Sequence, residues 1–410
     1  MIIKEFSVND VKRRFRCFLE CPEEAGIELY TIINEALKDL RTFLDNTYNI
    51  YKKQFPNLHK PSIYVYIRED CIEQINALTD GIDIYLSAGS MVGMYTYICE
   101  RLNTKTFDGK ELIPETIKGS LPLQMYKYIL EFIVSHELMH IWHSHKKWKS
   151  SFLRVATPLI NIEEDLLSEK VLSNITDLDE NNITIDNLRI ESGNLVCESR
   201  KDINFIQQIL EIDADCSAMC IMMANLYEEM KTIVTDSGER KNHKISSVIK
   251  YNSLLLGLKM GAAALMLGYF DSRTGAESFE QLKELLKSNH PIPAIRYFKI
   301  KSTLIECISK LYKDDEVVSL LLSDVDAFSI DIFMHKNGDM DIRNCFWASA
   351  LTQKAQEYIV QLEKGWNLIH DSLQCVANVN IADKFSSDSL LLFDEMIWFD
   401  EKGNIIVYEK

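Results

Sequence analysis

Across Glu131–His145 the chain reads EFIVSHELMHIWHSH, and no glycine or proline interrupts the longer run from Gln124 to Trp148. Such a run predicts one helix, with Tyr126, Ile129, Leu130, Ile133 and Val134 at helical spacing and Leu138 and Ile141 continuing the apolar side. His136 and His140 then stand one turn apart on one face, with about 5–6 Å between their Cβ atoms. Both rings can converge on one small cation at about 2.0–2.1 Å per Zn–N bond. Glu137 flanks that face, where a carboxylate can take a proton from a metal-bound water without being a ligand. HExxH alone fixes only three residues, and an amphipathic helix with exposed His and Glu would carry it equally well, so other stretches must decide.

The first of these is Asn204–Met230, also expected to be helical, which contains LEIDADCSAMC. Glu211 and Asp215 are four apart and share a face, while Leu210, Ala214, Ala218 and Met222 can form another stripe. Packed against the HELMH helix, Glu211 supplies a third ligand and leaves one position open for water. Asp213 competes with it within the same stretch. Asp215 is placed to orient a ligating His through its second ring nitrogen. The second stretch is Ser288–Arg296, SNHPIPAIR, where Pro291 and Pro293 fix a turn entering a helix. That turn can point His290 toward a cleft, where it or Arg296 could stabilise an oxyanion. A capped surface turn with Arg296 paired to an acid is the simpler reading of these residues.

Charge narrows the partners. At a net −16 over 410 residues, the chain lacks the clustered cations that nucleic acid or an anionic membrane surface would need. Ten cysteines without a CxxC pair fit free thiols in a reducing cytosol. The N-terminus has no cationic segment followed by an apolar stretch, so no signal peptide is expected. Leu254–Phe270 is apolar but shorter than the roughly 20 residues of a membrane span, and Lys259 interrupts it, so it reads as a buried helix.

Three segments follow. Residues 1–60 form a helical arm, with Leu29, Ile32, Ile33, Ala36, Leu37, Leu40, Phe43 and Leu44 at helical spacing. Residues 61–300 carry the chemistry. There Ser62–Arg68 is strand-like, and Ile82, Ile84 and Leu86 alternate with polar residues after an Asp80-Gly81 turn. That second strand is either an ordinary sheet edge or an edge able to pair with an extended substrate. Met91–Leu102 is helical and residues 103–120 form a polar loop. Residues 149–202 read as an insertion able to cover a cleft. Residues 301–410 mix helix (Ser302–Leu322, Ala348–Gln374) with strand–turn–strand patterns at Ile330–Arg343 and Leu391–Tyr408.

Taken in order, Asn76-Ala77…Gly81, His136-Glu137…His140, Glu211…Ala214-Asp215 and His290-Pro291…Arg296 resemble the motif set of the gluzincin metallopeptidases of the HtpX and CAAX-prenyl-protease type. Those proteins are usually membrane-embedded, unlike this chain. HELMHIWHSH is also similar to the HExxHxxxGH form of the soluble ImmA/IrrE and Lit-type phage-exclusion peptidases, with Ser144 where glycine is usual. A metzincin would need its third ligand at position 146, which is Lys146. The resemblance implies an α+β zincin-like domain and one Zn²⁺ per chain held by His136, His140 and Glu211. Glu137 and His290 would then be catalytic, with Asp215 and Arg296 supporting the ligands. It also implies a role in phage defence or the regulated cleavage of one intracellular protein; cysteine usage and the absence of a signal peptide point to the cytoplasm, and residues 301–410, without a counterpart in the likeness, are open to a regulatory partner. The competing expectation is a non-catalytic zinc-binding sensor. Two further histidines follow on an ideal helix. His143, seven after His136, would cap the cleft or compete as a ligand, and His145, about 180° away, would meet carbonyls at the helix end.

Overall fold

A computed structural model describes residues 23–66, 77–102, 120–155, 188–197, 199–235, 255–267, 290–291, 293–311, 319, 353–385, 398–399 and 405–406. The expectations for the 103–120 loop (save Ser120), Ile330–Arg343, nearly all of 312–322 and most of the 149–202 insertion lie outside them. The described chain is a helix-dominated mixture of helices and small sheets, an α+β composition. It divides into two compact units. One comprises Met1–Trp142, Ala214–Gly275 and Arg296–Asp341, and the other His143–Asp213, Ala276–Ile295 and Ile342–Lys410.

In the first unit, α1 (Glu23–Lys52) buries a stripe of Ile33, Ala36, Leu37, Leu40, Phe43 and Leu44, the spacing expected of an amphipathic helix. Its Thr47 hydroxyl bonds the Phe43 carbonyl at 2.9 Å and accepts from Asn225 at 2.8 Å. Strands β1 (Ile63–Tyr66), β2 (Ala77–Thr79) and β3 (Ile84–Ser87) form one sheet in the order β1-β3-β2. β1 pairs parallel with β3 and β2 antiparallel. In the tight turn between β2 and β3 the Asp80 carboxylate accepts from the amides of Ile82 and Asp83, both at 2.8 Å, and Gly81 takes φ 90°. Such a turn favours glycine.

Two expectations change here. Ile82 belongs to the turn and is 57% exposed, whereas Ile84 and Leu86 are buried. β3 is also the central strand, paired on both sides, so it offers no edge to a substrate. The reason is register: β1 claims the side of β3 that β2 leaves open.

Helix α2 (Ala88–Leu102) and helix α3 (Leu121–Trp142) follow. α3 is apolar and buried around most of its circumference, the pattern of a central helix rather than a surface one. Lys127 ties it to α1 through Glu35 and Asp39 at 2.8 and 2.7 Å. Residues 255–267 are helical and buried apart from a half-buried position 255. Within them Lys259 is satisfied by Glu131 at 3.1 Å and by the ring of Tyr128. No described helix is long and apolar enough to cross a membrane.

In the second unit, α4 (His145–Phe152) leads into a sheet of β4 (Leu153–Val155), β6 (Asn194–Cys197) and β5 (Arg189–Glu191), in the order β4-β6-β5. Helix α5 (Arg200–Thr235) starts at a reciprocal cap. The Ser199 amide donates to the Asp202 carboxylate at 2.8 Å, and the Asp202 amide donates to the Ser199 hydroxyl at 3.1 Å, satisfying two orphan donors at once. Helix α6 spans Pro293–Leu311. Pro293 opens α6 at the first helical position, where its missing N–H costs nothing. Helix α7 (Gln353–Gln374) packs Gly365 against Ile209 and Phe205 of α5. A short hairpin of β7 (Trp398–Phe399) and β8 (Ile405–Ile406) lies at the expected turn.

Candidate metal centre

The helix expected over Gln124–Trp148 stops at Trp142. Ser144 adopts φ 59° and ψ 37°, a left-handed conformation, and α4 begins at His145. This explains why glycine suits that position, since a side chain there is strained. The break also removes the assumption that placed His143 and His145 by helical rotation. Both lie beyond the helix that carries HELMH.

On the last turns of α3, His136 and Glu137 are buried and His140 is half-buried. His136 donates from Nδ1 to Asp215 Oδ1 at 2.9 Å. Asp215 lies on α5 and is fully buried. Arg296, near the start of α6, grips the same carboxylate twice, Nε to Oδ2 at 2.6 Å and Nη2 to Oδ1 at 2.8 Å. Burial pushes this carboxyl up, but the Arg296 guanidinium and the His136 ring outweigh it and hold it below the usual carboxylate range. An ionised Asp215 accepts only, so the His136 proton sits on Nδ1 and the Nε2 lone pair faces outward.

That lone pair meets the Nε2 of His140 at 3.1 Å. Two bare imidazole nitrogens repel at this distance unless a proton or a cation lies between them. Two nitrogens bound to one zinc at about 2.0–2.1 Å with tetrahedral angles stand about 3.3 Å apart, close to what is seen. Glu211 is carried one turn before Asp215 on the unbroken α5 and is buried. The ligand atoms of His136, His140 and Glu211 lie within 4.8 Å of one another. Two nitrogens and one carboxylate oxygen are a donor set that suits a divalent ion of zinc's kind.

Both oxygens of Glu211 have neighbours. Gln207 Nε2 donates to Oε1 at 2.8 Å. His290 Nδ1 lies 3.1 Å from Oε2, and its ring is 61% exposed. Sequence reasoning named His290 as an oxyanion group; the neighbour found for it is the carboxylate of Glu211. Gln207 was missed, although it stands four before Glu211 on a helix, a spacing that could have revealed it.

A second group forms around Asp213 and is buried throughout. His143 Nδ1 lies 2.5 Å from Asp213 Oδ2, and His145 Nε2 lies 2.9 Å from the same oxygen. Burial pushes this carboxyl up as well, and the two imidazoles overcome it, leaving it well below the ordinary range. These spacings are those of hydrogen bonds and fall short of the roughly 3.3 Å between ligands of one tetrahedral zinc. Asp213, the competitor for the third ligand, instead joins His143 and His145 in a separate group whose ligand atoms lie within 4.8 Å of one another and could also hold an ion. His145, expected at helix-end carbonyls, instead bonds this carboxylate, because the helix on which that expectation rested ends at Trp142.

No protein-family model, curated protein or solved structure matches the chain.

Proposed function

We propose that the chain is a zinc-dependent peptide hydrolase of the gluzincin type, with His136, His140 and Glu211 as ligands and Glu137 as general base. One observation carries the reading. The Nε2 atoms of His136 and His140 face each other at 3.1 Å, and Asp215 locks the His136 tautomer that leaves its lone pair there. When bound, zinc would polarise a scissile carbonyl and acidify a water.

The remaining work falls to the chain. Glu137 takes the proton from the attacking water and passes it to the leaving amine. Asp215 holds His136 in place, and Arg296 keeps Asp215 ionised. His290, exposed beside Glu211, is the candidate donor to the developing oxyanion. Free thiols at Cys99, Cys197, Cys216, Cys220, Cys307 and Cys375 agree with an intracellular substrate protein in a reducing compartment. A defence setting rests on the likeness of HELMHIWHSH to phage-exclusion peptidases.

The test is a scan for new protein N-termini in cells expressing the wild type or the Glu137→Gln chain. New termini are expected with wild type only. Equal cleavage by both forms refutes Glu137 as the base, and no cleavage by either favours the non-catalytic sensor.

A further inference from the structure

Glu211 is held on one side by a short relay. Gln207 sits one turn before it on α5 and donates from Nε2 to Glu211 Oε1 at 2.8 Å. The other end of the same amide, Oε1, accepts from Lys149 Nζ of α4 at 2.9 Å. An ammonium group can only donate, so it fixes which way the amide faces. A flipped amide would set its NH₂ against the ammonium and its oxygen against the Glu211 carboxylate, losing both bonds. The Gln207 donor is thus committed to one oxygen of Glu211. The other oxygen, Oε2, has beside it the Nδ1 of His290 at 3.1 Å, on a ring that is 61% exposed.

A carboxylate beside a metal ion can bind through one oxygen or both, and the choice sets how many positions remain for water. We propose that Gln207, oriented by Lys149, is a positioning residue that restricts Glu211 to one-oxygen ligation through Oε2. This rests on the ligand set proposed above. With Oε1 occupied, the site keeps the four-coordinate shell of two imidazoles, one carboxylate oxygen and one water. Without the Gln207 donor, Oε1 is released to join the shell, and the site moves toward five-coordination with its water crowded.

The probe is the full-length chain loaded with Zn²⁺ or Co²⁺. Gln207→Met keeps the length of the side chain and removes the donor, and Gln207→Leu is a second form should the first fold poorly. Partners that orient a ligand typically contribute about 10–100-fold to metal affinity. A loss in that range is expected for Zn²⁺ in chelator competition. The visible absorption of bound Co²⁺ should weaken as four-coordination gives way to five, while thermal unfolding of the metal-free variants stays near wild type. Wild type that binds one ion, with Gln207 variants that match it in affinity and in cobalt spectrum, overturns the proposal and leaves the ligand set intact. Wild type that binds no ion overturns the ligand set and this inference with it.

Discussion

His136 and Asp215, 79 residues apart in the chain, are joined by a 2.9 Å hydrogen bond from Nδ1 to a buried carboxylate. The bond decides which nitrogen of His136 is free. Asp215→Asn should remove that control, since an amide can present either a donor or an acceptor to the ring. Zinc affinity is expected to fall about 10–100-fold, measured by competition with a chromogenic chelator. Unchanged affinity would mean that the tautomer is set elsewhere.

Arg296 gives the complementary case. Its two bonds to Asp215 offset the desolvation of a fully buried charge. Arg296→Met leaves that charge unpaired and should destabilise the metal-free chain by about 3–5 kcal/mol, read as a lowered urea midpoint. A loss under about 1 kcal/mol, the scale of an exposed pair, would show that solvent reaches Asp215.

Asp213 tests the second histidine group. Asp213→Ala strands two buried imidazole donors and should cost about 3–5 kcal/mol of stability. One zinc per chain is still expected, counted by mass spectrometry on the intact protein. A wild type carrying two ions, reduced to one by this substitution, would make the His143–Asp213–His145 group a second metal site.

Gly365 tests packing where two effects oppose. Alanine in a helix interior is normally favoured over glycine by about 0.5–1 kcal/mol. Here an added Cβ would run into Ile209 Cδ1 and lie 3.0 Å from Phe205 Cε1. Overpacking of this kind costs about 1–3 kcal/mol and should win. Gly365→Ala is expected to lower the thermal midpoint, and a raised midpoint would mean that Ile209 rotates away freely.

Cys197 supplies a pH dependence. Burial, helped by the nearby Asp202, pushes its thiol up to about 12 from 9.0. The folded pKa is raised, so the thiol contributes its full stability below about pH 9, where it is protonated in both states. As pH rises from there toward 12, the unfolded thiol ionises first and stability declines. Cys197→Ala should flatten the fall in urea midpoint between pH 8.5 and pH 10 (~1.5 pH units). An equally steep fall would place its cause in other groups.

Much of this was legible because it is local. The helices at α1, α3 and α5, the Asp80-Gly81 turn and the Pro293 helix start follow from spacing and from residues with restricted backbones. What failed was continuity through Ser144. A serine in a left-handed turn carries no local signal as glycine would, and the positions of His143 and His145 depended on it. The central placement of β3 was equally hidden, because strand neighbours are chosen by pairing across the chain rather than by alternation within it. The pairing of Asp215 with both His136 and Arg296 was approached through motif order. The Lys149–Gln207–Glu211 relay joins α4 to α5, and only its Gln207 half is written in sequence spacing.

X-ray absorption at the zinc edge of the loaded, full-length protein reaches the ligand set most directly. The expected spectrum has two imidazoles and oxygen donors at about 2.0–2.1 Å and no sulfur. Sulfur scattering near about 2.3 Å, or a shell with three or more imidazoles, would contradict a site built from His136, His140 and Glu211.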